Sequence, residues 1–268
     1  MVSKMLESES SIDDLENRDR DYVGSFARGL EVIKTFTRHT PRRTLSEVAE
    51  ASGMSRATAR RFLLTLVREG YADSDGKYFS LKPKILEIGF SALSSMNIWD
   101  VAQPIMSALS DRLQESCFAA VLDGDSVIYV ARANSTRVVN ISISIGSRSP
   151  AHSVSTGRVL LAALPEAEFQ EYLDKTTLTK FTEHTVTSKV KLRELVNETR
   201  LRGWSIVDQE LEISLRSISV PIRDRDGKVV AALNVPCPTE RVTLQDMSTR
   251  ILTELLEASK NITQALQG

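Results

Sequence analysis

SGMSRATARRFLLTLVREGYADSDGKYFSL, residues Ser52 to Leu81, gathers Arg56, Arg60, Arg61, Arg68 and Lys77 around a short apolar seam and then turns on Asp75-Gly76. Gly53 follows Ser52 where one helix must stop, because glycine accepts a positive φ, and Ser55 supplies the side-chain acceptor that starts the next. In that next helix Ala59, Phe62, Leu63 and Leu66 form one apolar stripe. At about 100° per residue, Ala57 and Arg61 fall opposite the stripe, with Thr58 and Arg60 on its flanks. After Gly70 the run YADSDGKYFSLK predicts two short strands joined by a type I′ turn at Asp75-Gly76. Upstream, Leu30, Ile33 and Phe36 recur at helical spacing, and Thr44-Leu-Ser-Glu47 is a capping box for a helix that turns Leu45, Val48 and Ala49 inward. The order helix, helix, tight turn, helix, hairpin predicts a winged helix-turn-helix over residues 23–82.

Charge marks the same region. The 268 residues carry a formal net charge of −1, but from Gly24 to Lys84 twelve basic residues face six acidic ones. Residues 1–22 are rich in Asp and Glu and poor in apolar groups, which predicts a disordered acidic tail. A locally basic helix suits double-stranded DNA, since its outer face fits a major groove about 12 Å wide. Ser55 and Arg56 at the helix start suit a phosphate, Ala57, Thr58, Arg60 and Arg61 face base edges or backbone, and Lys77 with Tyr78 on the wing can grip the neighbouring strand. A solvated charged face is the competing reading of any single arginine.

Residues 83–99 read as a linker helix with Ile85, Leu86, Ile88, Leu93 and Met96 on one face, open either to a second copy or to the chain's own C-terminal part. Residues 100–268 alternate helices with hairpins that turn at Asp123-Gly124-Asp125 and Asp226-Gly227, and VVNISISIG reads as a further strand. Helix starts fall near Gly157, at Pro165 and at Thr243, and one helix ends at Gly203. The fold class is therefore α+β, an antiparallel sheet with flanking helices. Cys117 and Cys237 lack metal-ligand spacing, the histidines His39, His152 and His184 form no metal motif, and no run reaches the roughly 20 apolar residues of a membrane span. No metal, cofactor or membrane is expected, and the setting is expected to be cytoplasmic. An enzyme using Cys117 and His152 remains as an alternative, although no nucleophile elbow, zinc motif or phosphate loop supports it.

SFARGLEVIKTF, LSEVAEASGMSRATARRFLLTLVREGY, STGRVLLAAL and GWSIVDQELEISLRSISVPIRDRDGKVVAALNV together resemble the IclR-type bacterial transcription regulators. LRSISVPI and GRVLLAAL look most like the regulators of protocatechuate, 4-hydroxybenzoate and β-ketoadipate metabolism. The resemblance implies a GAF-like C-terminal domain that binds a small organic acid and alters binding to a palindromic operator. It implies pocket positions at Ser155, Thr156, Asp208, Ser217, Asn234 and Pro236, with Arg148 and His152 as candidates for a second carboxylate. A homodimer or tetramer is implied, and RNA polymerase is a further candidate partner. Ser214 stands where the family commonly has glycine. A DNA-binding protein whose C-terminal domain only oligomerises is the alternative to a sensor.

Overall fold

Two compact units, Met1–Ala92 and Leu93–Gly268, make up the chain, and the computed structural model describes residues 22–37, 39–88, 98–135 and 143–267. The acidic tail, apart from Tyr22, and the middle of the expected linker helix, residues 89–97, lie outside the described residues. The first unit contains α1 (Gly24–Lys34), β1 (Arg42–Thr44), α2 (Leu45–Ala51), α3 (Arg56–Arg68), β2 (Ala72–Ser74) and β3 (Tyr78–Leu81). Its core is Val32, Val48, Ala49, Ala59, Leu63 and Phe79. Thr44 and Glu47 form the predicted capping box, Gly53 adopts φ +65°, and Ser55 Oγ accepts from the Thr58 amide at 3.2 Å.

Two details of this unit differ from the sequence reading. Val32, not Leu30, fills the core from α1, while Leu30 is exposed and lines an apolar groove with Phe26, Ile33, Phe62, Leu66 and Ile88. The wing has three antiparallel strands in the order β1-β3-β2, and its tip is not a type I′ turn. Only Gly76 has a positive φ there, +95°. Asp75 instead keeps a negative φ and folds its carboxylate back, accepting the Lys77 and Tyr78 amides at 3.0 and 2.8 Å. Those bonds hold its carboxyl below the usual range, the Tyr78 amide contributing most.

The second unit is built on an antiparallel six-stranded sheet, order β6-β5-β4-β9-β8-β7. Its strands are β4 (Cys117–Asp123), β5 (Ser126–Ala133), β6 (Arg148–Pro150), β7 (Ser205–Asp208), β8 (Leu215–Arg223) and β9 (Val229–Pro238). One face packs on α4 (Ile98–Leu113) and on the terminal helix α8, which runs through Leu244–Asp246, a π turn at Met247–Ile251, and Leu252–Gln267. The other face carries α5 (Ser155–Ala163), α6 (Glu166–Lys175) and α7 (Lys189–Arg202). The whole is the expected α+β arrangement. Trp99, expected at the end of the linker, belongs to α4 and is buried in this unit's core. Of the strand expected at VVNISISIG, residues 138–142 lie outside the described residues, Ile143 and Ser144 belong to no strand, and Ile145 and Gly146 form a turn.

Gly157 explains how α5 reaches the sheet. A Cβ at this position would stand 2.0 Å from the Ala151 carbonyl oxygen, so only glycine lets the first turn of the helix pack against the 3-10 turn Ala151–Ser153. The helix consequently starts at Ser155, two residues earlier than its sequence pattern indicates.

Candidate functional site

On α3 the division of faces follows the sequence. Ala59 and Leu63 are buried, Phe62 and Leu66 half-buried, and Arg56, Ala57, Arg60 and Arg61 exposed, with Thr58 half-buried above the Ser55 cap. Arg56, Arg60, Arg61 and Lys77 form no ion pair among the described residues, so their charge is available to an external anion. On the wing, Lys77 Nζ lies 5.1 Å and the Arg42 guanidinium 5.2 Å from the Tyr78 ring centroid. Arg42 was missed from sequence because β1 is too short to show alternation, and only pairing Thr44 with Tyr78 brings it to the wing.

In the second unit the structure brings Ser155, Ser217 and Asn234 together and adds Ser219. Ser155 Oγ lies 2.8 Å from both Ser217 Oγ and Ser219 Oγ. Asn234 Nδ2 donates to Ser155 Oγ at 3.0 Å, Ser219 Oγ at 3.0 Å and the Ile218 carbonyl at 3.2 Å. Ser219 is the direct cross-strand partner of Asn234, whereas Ser217 faces Pro236. The three strand side chains point to the α5 face and meet Ser155, which stands in the first turn of α5, where backbone N–H groups have no helical acceptor and the helix dipole favours an anion. Thr156, next in the turn, is buried, and its hydroxyl lies beside the Tyr129 phenol. Burial pushes the Tyr129 phenol up, so it stays a neutral donor.

A cavity of about 30 Å³ adjoins this cluster, lined by Tyr129, Ile143, Leu211, Ser217, Asn234 and Pro236 among others. That is room for about two water molecules. Part of its wall is the segment after β7, where Gln209 and Ser214 hold φ of +60° and +67°. Ser214 thus keeps the left-handed backbone at the position where glycine was expected. Glu210 of the same segment is buried against Arg158 of α5, at 2.7 Å, and accepts the Val186 amide at 3.1 Å. Thr182 and Thr185 hydroxyls donate to the Gln209 and Glu210 carbonyls, both at 2.6 Å. This wall is tied down by polar bonds that no local sequence pattern announces.

Other candidates lie elsewhere. Asp208 accepts from Arg216 Nε at 2.9 Å, and β-strand alternation turns both away from the neighbouring cavity residues Val207 and Ser217. Arg148 is engaged with Asp123 at the surface. His152 is buried, its Nε2 3.0 Å from the Thr179 carbonyl and its ring stacked on Phe181. Cys117 belongs to the core on the opposite face, and burial pushes both it and Cys237 up to about 12, far from a reactive thiolate. Among the described residues no group of His, Cys, Asp and Glu is arranged to hold a metal, and no helix is long and apolar enough to cross a membrane.

A winged helix-turn-helix with unpaired cations on its second helix, in one chain with a helix-flanked sheet enclosing a polar cavity, defines a DNA-binding transcription regulator. Family comparison identifies residues 25–76 as the IclR helix-turn-helix domain and residues 90–264 as the C-terminal domain of the bacterial transcriptional regulator IclR. The chain belongs to the IclR family. It is 41% identical over 251 residues to the Pca regulon regulatory protein of Pseudomonas putida, covering 93% of this chain and 86% of the relative. A transcriptional regulator structure from Rhodococcus sp. shares 44% identity with a TM-score of 0.82, covering 91% of this chain and 98% of its own. An IclR homologue from Microbacterium hydrocarbonoxydans, crystallised with 4-hydroxybenzoate, matches at 26% identity and a TM-score of 0.80, covering 91% and 99%.

Proposed function

We propose that this regulator senses a small aromatic acid in its C-terminal unit and converts occupancy into a change of operator binding by its winged unit. The observation that carries the reading is the cluster of Ser155, Ser217, Ser219 and Asn234 at the first turn of α5, bordering an internal cavity. The Pca regulon relative and the homologue bound to 4-hydroxybenzoate support an aromatic acid or a metabolite derived from one. Ser155, Thr156, Ser217, Asn234 and Pro236 form the ligand end; Asp208 acts only through Arg216. On DNA, Arg60 and Arg61 read base edges, Ser55, Arg56, Ala57 and Thr58 position the helix start, and Lys77 with Tyr78 holds the backbone at the wing. The active species is a homodimer or a higher assembly on a palindromic site. The exposed apolar groove of the winged unit, about 700 Å³ between α1 and α3, supports a surface that a second copy covers.

Thermal unfolding tests the sensor half. 4-Hydroxybenzoate, protocatechuate and β-ketoadipate are the acids to screen, and a cognate one at about 100 times its Kd stabilises its unit by about 2.7 kcal/mol. That corresponds to a rise of about 5 to 10 °C in Tm for a domain of this size. Asn234→Ala removes most of the rise. A full rise in the variant places the ligand elsewhere, and no rise with any acid favours a C-terminal unit that only oligomerises.

A further inference from the structure

We propose that Arg132, on β5, is the cation that receives the carboxylate of the acid bound in the C-terminal cavity. The inference rests on the sensor reading above and deepens it by assigning the charged end of the ligand.

Strand β5 carries one extra residue against β4: Ala131 pairs with Ala119, but Tyr129 pairs with Ala120, leaving Val130 as a bulge. Residues three apart on a regular strand face opposite sides, and the bulge removes that opposition. Tyr129, which lines the cavity, and Arg132 therefore both point to the α5 face. Cross-strand register then runs from Arg132 to Phe118 on β4, Asn234 on β9 and Ser219 on β8. Arg132 and Asn234 thus stand two strand spacings apart, about 10 Å between backbones. Phe118 fills the position between them on that face and Arg132 does not itself line the cavity, so a ligand that reaches both lies across the Phe118 ring, a carboxylate at one end and a hydroxyl or carbonyl at the other.

The state of the guanidinium supports this role. It lies over the Phe118 ring, 5.5 Å from the centroid, and its Nη1 donates to the Ile143 carbonyl at 2.7 Å, tying it to a residue of the cavity wall. Its Nε is buried and has no hydrogen-bond partner. No carboxylate pairs with Arg132 among the described residues. A cation left so, with one buried N–H unbonded, has a cost that an incoming carboxylate removes by accepting from the Nε and Nη2 edge in the side-on, bidentate geometry that arginine favours. The hydroxyl and amide cluster around Asn234 then receives the uncharged polar end. With about 30 Å³ now free, the ligand must also move the wall that Ile143 and Leu211 form.

The test is calorimetric titration of 4-hydroxybenzoate and, separately, 4-hydroxybenzamide into the full chain, as wild type, Arg132→Gln, Arg132→Lys and Asn234→Ala. The wild type is expected to bind the acid about 30-fold or more tightly than the amide. Arg132→Gln is expected to lose that preference through the acid alone, its amide affinity staying near wild type, while Arg132→Lys keeps a reduced preference because it keeps a charge without the fork. A wild type that binds amide and acid equally overturns the assignment without recourse to any variant. So does an Arg132→Gln chain that keeps the wild-type preference while Asn234→Ala has lost both compounds, an outcome that leaves the cavity reading standing. Binding of neither compound by the wild type overturns the cavity reading for this acid and the assignment with it.

Discussion

On α3 the arginines point outward and pair with no carboxylate among the described residues, whereas on the α5 face of the large sheet the polar groups point inward and satisfy one another. Arg56, Arg60 and Arg61 form no ion pair among the described residues. Ser155, Ser217, Ser219 and Asn234 form a closed set of bonds between 2.8 and 3.0 Å. On the proposed reading the first surface engages phosphate and base edges without breaking any bond among the described residues. The second binds only a molecule that replaces the hydrogen bonds it disturbs, because a buried donor or acceptor left unmet costs about 1 to 3 kcal/mol. Affinity for DNA is set by available charge, and selectivity for a small molecule by polar groups that tolerate few substitutes.

The buried side of that contrast breaks most severely at Arg158. Arg158→Met leaves Glu210 buried without its cation, and chemical denaturation of the C-terminal unit is expected to show a loss of about 3 to 5 kcal/mol. The loss appears with and without ligand, since the pair ties the cavity wall to α5. On the exposed side, Arg61→Ala is expected to cost about 1 to 3 kcal/mol on a specific operator and to flatten discrimination among sites, with no change in the unfolding midpoint. Lys77→Ala sharpens the same point by weakening all sequences alike and lowering the salt slope by about one unit. Titrations on operator and random duplex at several salt concentrations separate the two.

The smallest effect belongs to His152, whose pKa lies below the ordinary 6.5 chiefly because burial disfavours its charged form. Between 6.5 and the lowered value the unfolded chain takes up a proton that the folded chain refuses. Stability of the C-terminal unit from this residue is therefore full above 6.5 and declines as pH falls through that window. His152→Gln is expected to flatten the decline in denaturation series between pH 7 and pH 5.

The exposed surface was largely legible in the sequence because helical period and capping are local. Thr44, Glu47, Gly53 and Ser55 each signal through neighbours within four residues, and the stripe through Ala59 and Leu63 fixes which arginines face out. The wing tip was misjudged because Asp75 uses its side chain where a type I′ turn would need a positive φ. In the C-terminal unit Ser155, Ser217 and Asn234 came through the family likeness, not from period. Ser219 was missed because its pairing with Asn234 depends on sheet register, and Arg132 because the bulge at Val130 overrides strand alternation. The Arg158 and Glu210 pair spans 52 residues, and nothing near either one marks it.

Coupling between the two units is the central claim, and the affinity of the full chain for an operator duplex selected from random sequence, with and without saturating 4-hydroxybenzoate, tests it most directly. A differential contact of about 1 to 3 kcal/mol changes that affinity about 5 to 150-fold, and Asn234→Ala abolishes the change while leaving unliganded DNA binding near wild type. An acid that raises the Tm of the C-terminal unit yet leaves operator affinity the same within error contradicts the account.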